Sequence, residues 1–325
     1  TLIGWMYAHG IGGAANSEEA FKWLNWATQR GSATAPYYIG CMHADGLGVP
    51  KDDAEAARWC RKAAERGYAR AQHWLGFAHS MGRGVAQDHV AAAQWYKKAA
   101  EQEFPDAQFQ LGLMYDQGIS VSRNSARAIK WYRLAANQGH SAAKNNLALC
   151  YASGDGLPKG SVEAMRLFVE AAEQGFAKAQ FNLGLAYFNG NGVSKDVPRG
   201  LKWIRKSAAQ RLHSAQLFLS SVYGEGKGVR RDAAKSLKWV RLAAENGSVD
   251  AQFRLASMYY NGAGVRQNLA KALHWYRACA EQGDSRAQNF LGELYDSGGF
   301  VTKDTAEALK WFKVSAEQGN ANAQY

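Results

Sequence analysis

Five prolines in 325 residues leave long stretches in which nothing obstructs a helix. Cysteine is as sparse. Cys41, Cys60, Cys150 and Cys279 form no C-x-x-C pair, which excludes a zinc knuckle or a dithiol redox motif. Cys41 and Cys60 share one helix pair, and the spacing leaves open whether they are bonded. No apolar run approaches the roughly 20 residues that span a bilayer. A start methionine and a basic-then-apolar leader are also missing. Thr1 and Tyr325 both fall inside a repeat, so the expectation is one array over 1–325 cut from a longer chain, with its compartment unknown. No segment alternates apolar and polar residues in twos, which speaks against sheet. With 47% hydrophobic and 21% charged residues, the composition is that of a folded chain, not a disordered one.

What the sequence does have is a period. Shifted by 36 residues it aligns with itself from end to end without a gap. Glycine recurs at Gly10, Gly46, Gly82, Gly118, Gly154, Gly190, Gly226, Gly262 and Gly298. An alanine column runs from Ala35 and Ala71 to Ala323. Tryptophan fills a third column at 23, 59, 95, 131, 203, 239, 275 and 311, with Leu167 the exception. The segment around Ala179, Leu183, Gly184 and Tyr187 shows the three-and-four spacing of one helical face. Small residues at Ala179 and Gly184 admit a neighbouring helix, and a G-x-G turn follows. Asp or Asn then stands at the next helix start in eight units (Asn16, Asp52, Asp88, Asn124, Asp196, Asp232, Asn268, Asp304), where its side chain caps orphaned N–H groups. Glu55 and Glu307, three residues further on, complete the pattern of a capping box. The second helix reads A-x-x-W-aromatic-x-x-A-A, which predicts the tryptophan buried in the seam between helices. A glycine stop usually follows; Glu103 and Arg211 replace it in two units. A single pair cannot cover its own apolar face, so stability must come from stacking.

These columns resemble the SEL-one-like repeat (SLR) family, relatives of the tetratricopeptide repeats, over the whole chain. The resemblance implies an all-α solenoid, a right-handed superhelix of nine 36-residue helix-turn-helix repeats whose first helices line a concave face. It also implies an adaptor or scaffold that binds a protein or peptide, with a lean towards a secretory compartment, bacterial periplasm or endoplasmic reticulum lumen.

Motifs that carry chemistry are scarce. Ser141-Ala-Ala-Lys144 matches S-x-x-K without its S-D-N and K-T-G companions, and it stands where every unit begins its first helix. The stretch Gly154 to Ser161 has K-G-S instead of the G-K-S of a phosphate loop and follows a helix. Five of the eight histidines lie before residue 90. His43 and His79 take the seam-tyrosine position, where with Cys41 they suit a metal or merely replace tyrosine. No standard ligand spacing supports the metal, so the reading is a non-enzyme with no cofactor and no catalytic or metal residues.

The resemblance places Tyr37, His73, Phe77, Phe109, Phe181, Phe188, Phe253 and Tyr260 on the groove-facing positions of first helices. Trp5 and Trp74 are off-pattern aromatics in the first three units, as Trp26 is. Together these residues suggest anchor pockets for a partner, although packing against the next helix accounts for aromatics there equally. Charge is localised as well: of a net +11, residues 179–286 carry a surplus of 10, with 17 Lys+Arg against 7 Asp+Glu. Lys227, Arg230, Arg231 and Lys235 mark this patch. It suits an acidic partner, or else it is a solvated face. A structural subunit held to an acidic or nucleic-acid surface is the alternative function. A nucleic acid is the weaker candidate, because no recognised binding module or aromatic–basic platform is present.

Overall fold

The computed structural model describes residues 1–9, 16–156 and 160–318, and among them every regular element is a helix. The chain divides into two compact units, residues 1–174 and 175–325. The first contains α1 (Leu2–His9), α2 (Ser17–Gln29), α3 (Ala35–Asp45), α4 (Asp53–Glu65), α5 (Ala69–Met81), α6 (His89–Glu101), α7 (Pro105–Gln117), α8 (Ser125–Asn137), α9 (Ser141–Ser153) and α10 (Ser161–Glu173). The second contains α11 (Ala177–Asn189), α12 (Val197–Ala209), α13 (His213–Glu225), α14 (Ala233–Glu245), α15 (Val249–Asn261), α16 (Leu269–Glu281), α17 (Ser285–Ser297) and α18 (Thr305–Glu317). Each repeat is one pair, an odd-numbered helix followed by an even-numbered one.

The helix starts follow the sequence. All eight Asp and Asn caps accept a backbone N–H two or three residues on, as Asp52 does from Ala54 and Glu55. Gly160, which has no side chain to offer, makes no such bond. The capping boxes are only half formed. The backbone N–H of Asp52 donates to the His43 carbonyl, and that of Asp304 to the Tyr295 carbonyl. The Glu55 carboxylate, released from that duty, accepts instead from Arg58 at 3.0 Å.

Close packing explains the L-G glycine. A Cβ added at Gly184 would stand 2.5 Å from Cγ1 of Ile204, and one at Gly76 would stand 2.6 Å from the Tyr96 ring. The residue received by each glycine is therefore the one after the tryptophan. Tyr96, Tyr132, Ile204, Val240 and Tyr276 are buried, whereas none of the eight column tryptophans is, and Trp23 is 37% exposed. The expectation of tryptophans buried in the seam is corrected here. The apolar stripe of α6 centres on Ala92, Tyr96, Ala99 and Ala100, so Trp95 lies at its flank, about 100° round the helix from Tyr96. There the indole covers the edge of the core and carries a cation: Lys98 lies 4.2 Å over Trp95, Lys62 4.0 Å over Trp59 and Lys206 4.4 Å over Trp203.

A buried glutamine column ties successive pairs together. Gln108, 2% exposed on α7, donates to the Ala100 carbonyl of α6 at 3.2 Å and accepts from Gln138 at 3.0 Å. Gln72 and Gln252 repeat both bonds. Such a side chain satisfies its own buried amide while fixing the register of one repeat on the next.

Candidate protein-binding surfaces

In the unit of residues 1–174, the expected groove positions gather aromatics that hold one another. Tyr37 meets Tyr38 at 5.5 Å and Tyr68 at 5.3 Å, both edge to face, and burial pushes its phenol pKa up. His73 lies 5.6 Å from Tyr96 and 5.3 Å from Phe104. Burial holds its imidazole pKa below the usual range, against the opposing pull of Asp106. Phe109 stacks on His140 at 4.7 Å, and His140 reaches Asp106 at 3.2 Å. Trp5 and Trp74 are half-buried. Trp74 packs on the core formed by Cys60, Ala63, Ala64, Ala71 and Leu75, so part of its bulk serves stacking. Phe77 differs, being 39% exposed one turn along α5 from His73 and Trp74; Met81 at the end of that helix is 64% exposed. Trp26, 49% exposed, belongs to the second helix α2, with the Arg30 guanidinium 3.8 Å over its ring.

The unit of residues 175–325 buries more of its expected site. Phe188 is 9% exposed and packs edge to face on Phe218 at 5.2 Å, so it is core, not groove surface. Phe181 meets the same ring at 5.9 Å. Phe253 contacts Tyr276 at 5.5 Å with Arg286 4.7 Å over its face, and Tyr260 sits between Phe290 and Phe300.

The basic positions separate into occupied and free. Lys227 pairs with Glu225 at 2.6 Å, and Lys235 with Asp232 at 2.9 Å. Arg205 donates to the Tyr223 hydroxyl at 2.8 Å and Arg241 to the Tyr259 hydroxyl at 3.0 Å. Arg230 and Arg231 are exposed in the turn after α13 and have no carboxylate or ring partner among the described residues.

Three sequence features resolve differently. The thiols of Cys41, Cys60, Cys150 and Cys279 are all free, and desolvation raises Cys150 to about 11 and Cys279 to about 12. Among the described residues no group of three His, Cys, Asp or Glu is placed to hold a metal. The Nδ1 atoms of His43, His79 and His89 are buried without a hydrogen-bond partner. Lys144 of S-x-x-K occupies the glutamine column and pairs with Glu170 at 2.7 Å. Residues 157–159 of the K-G-S stretch, and the side chain of His9, lie outside the described residues. The glutamine staple and the arginine-to-tyrosine bonds were missed in the sequence, although the recurring Ala-Gln pair at 71–72, 107–108, 179–180, 215–216, 251–252 and 287–288 signals the first. Among the described residues no helix is long and apolar enough to cross a membrane.

Comparison with known proteins agrees with this geometry. The Sel1 repeat family matches nine consecutive segments, from residues 1–32 through 285–320. An SLR-fold protective antigen of uropathogenic Escherichia coli, c5321, is 32% identical over 100% of this chain and 69% of its own, with a TM-score of 0.67. A Sel1 repeat protein of Oxalobacter formigenes is 34% identical over 75% of this chain and 96% of its own, with a TM-score of 0.65. Yeast Tom70, at 13% identity and TM-score 0.54 over 95% of this chain and 71% of its own, shares the fold alone. No curated protein matches the chain. Sel1 repeat proteins are generally protein-interaction scaffolds, and their fold is typically non-catalytic. With nine matched repeats covering almost its whole length, the chain belongs to the Sel1 repeat family.

Proposed function

We propose that this protein is a scaffold that holds a protein or peptide on the first helices of its N-terminal repeats, with Phe77 as the anchor. The observation that carries this reading is a row of aromatic positions, Tyr37, His73 and Phe109, flanking an exposed phenylalanine and methionine on α5. The exposed part of the Phe77 ring gives a partner a large apolar group at little entropic cost. A second surface rests on Arg230 and Arg231, whose unpaired guanidinium groups suit an acidic partner in the unit of residues 175–325. That 1–325 forms one continuous solenoid belongs to the same proposal.

A photo-crosslinking residue at position 77 captures the partner, which is then purified for binding kinetics. Phe77→Ala weakens binding by at least about 2 kcal/mol, mainly through faster dissociation, and lowers the melting temperature less than Trp74→Ala does. Trp74→Ala lowers both affinity and stability, because its ring also packs on the core. Arg230→Glu with Arg231→Glu slows association and flattens its salt dependence. Unchanged affinity in Phe77→Ala refutes the anchor, and an unchanged association rate in the charge-reversed variant refutes the acidic contact.

A further inference from the structure

A cavity of about 370 Å³ opens in the unit of residues 1–174, among α8, α9 and α10. The fifth repeat departs from two columns there. Leu167 stands where the other eight repeats carry an indole, and Lys144 stands in the column of the stapling glutamines.

A third departure concerns a bond. In the unit of residues 175–325, Arg205, Arg241 and Arg277 each donate to the hydroxyl of the tyrosine eighteen residues on. Arg133, which is exposed, and Tyr151 have that same separation, yet no hydrogen bond joins their side chains, and neither side chain has another polar partner among the described residues. Both line the cavity. The remaining charges in its wall cancel: Lys144 bonds Glu170 at 2.7 Å, and Arg166 bonds both Glu163 and Glu170. The cavity therefore carries one uncompensated positive charge, on Arg133.

We propose that this cavity binds a carboxylate ligand, with Arg133 and Tyr151 donating to the carboxylate. A guanidinium fork matches a planar carboxylate, and a single negative charge balances the cavity. A doubly charged phosphate leaves excess negative charge beside Glu163 and Glu170. Leu147 and Leu167, each 4% exposed, close the floor of a wall that is otherwise mainly polar. The volume lies within the usual range for small-ligand sites, about 300–1,000 Å³. Two sources share this chemistry, a free acid and the end of a peptide. The inference does not rest on the Phe77 surface.

The test is calorimetric titration of the intact chain with 3-phenylpropionate, N-acetylglycyl-phenylalanine, the amide of each, and inorganic phosphate. At least one acid binds, its amide binds at least about tenfold more weakly, and phosphate is weaker than the acid. Binding by 3-phenylpropionate with no gain from the dipeptide assigns a free acid; a tighter dipeptide assigns a peptide end. Arg133→Met and Tyr151→Phe each weaken the acid, whereas Arg205→Met, at the closed equivalent position, does not. Leu167→Trp restores the column residue, fills the room and abolishes binding with the melting curve intact. No binding by either acid up to roughly 10 mM overturns the proposal. So does equal affinity for acid and amide, tighter binding of phosphate, an unchanged affinity in Arg133→Met, an equal loss in Arg205→Met, or retained binding by a folded Leu167→Trp.

Discussion

Replacing Glu103 by glycine stabilises this protein, although it deletes a whole side chain. Glu103 follows α6 with φ 62°, and Arg211 follows α12 with φ 63°. Glycine occupies the same stop in the seven other repeats, and in the six of these that are described its φ lies between 86° and 91°. A side chain in the left-handed region costs about 1–2 kcal/mol through its Cβ. Glycine gives back about 0.5–1 kcal/mol, because it loses more backbone freedom on folding. Neither Glu103 nor Arg211 makes an ion pair or a side-chain hydrogen bond among the described residues, so nothing else is lost. The net gain is about 0.5–1 kcal/mol per site, worth roughly 2–4 °C per kcal/mol for a unit of this size. The two sites lie in different compact units, so their effects add. The opposite swap isolates the cause. At Gly67 a Cβ would meet nothing within 4 Å, so Gly67→Glu destabilises by the backbone term alone. Urea unfolding of the three single variants measures all of this. A fall in midpoint for Glu103→Gly, or an unchanged midpoint for Gly67→Glu, refutes the reasoning.

Gln108→Met keeps the volume but removes both bonds of the staple; because Ala100 O also accepts from Glu103 N–H, the loss is about 1–2 kcal/mol in urea unfolding. Hydrogen exchange shows the loss as faster opening of α6 and α7, where a global change without local opening counts against a register role. His73 makes stability depend on pH. Burial lowers its pKa in the folded state, so the unfolded chain takes up the proton first as pH falls. The stability linked to it is fully present above the ordinary histidine value, about 6.5, and is lost as pH drops from there towards the lower folded value. His73→Phe, the residue found at Phe109 in the next repeat, flattens that limb of the stability curve; equal acid sensitivity in the two proteins shows that His73 does not contribute.

Caps and turns were legible in the sequence because their bonds are local: an Asp52 carboxylate needs only the N–H groups of the next two or three residues. The tryptophans were not. Periodicity locates an apolar stripe to within about one residue, and Trp95 and Tyr96 both fit it until the opposing glycine shows which is received. One bond of the glutamine staple joins residues 30 apart within a repeat, and the other crosses to the preceding repeat, so neither follows a helical period. The half-formed capping boxes failed for a similar reason, since the N–H of Asp52 was taken by a carbonyl of the preceding helix. At the candidate surface, residue type misled: Phe77 and Phe188 are both phenylalanine, yet one is exposed and the other buried under Phe218.

Column residues are held by packing or pairing that every repeat needs, which leaves the departures to carry recognition. This applies with most force to charge. A net charge of +11 suggests a broadly basic surface. Some of the cations are engaged within the fold: lysines lie over the column tryptophans, arginines reach the seam tyrosines, and Lys227 and Lys235 pair with their own carboxylates. A cation fixed on an indole or a phenol still adds to the distant field but is not free to form a close pair with a partner. Contact with an acidic partner through the turn after α13 therefore involves chiefly Arg230 and Arg231. Its salt dependence should be that of about two released counterions, far from the steep slope that the whole net charge implies.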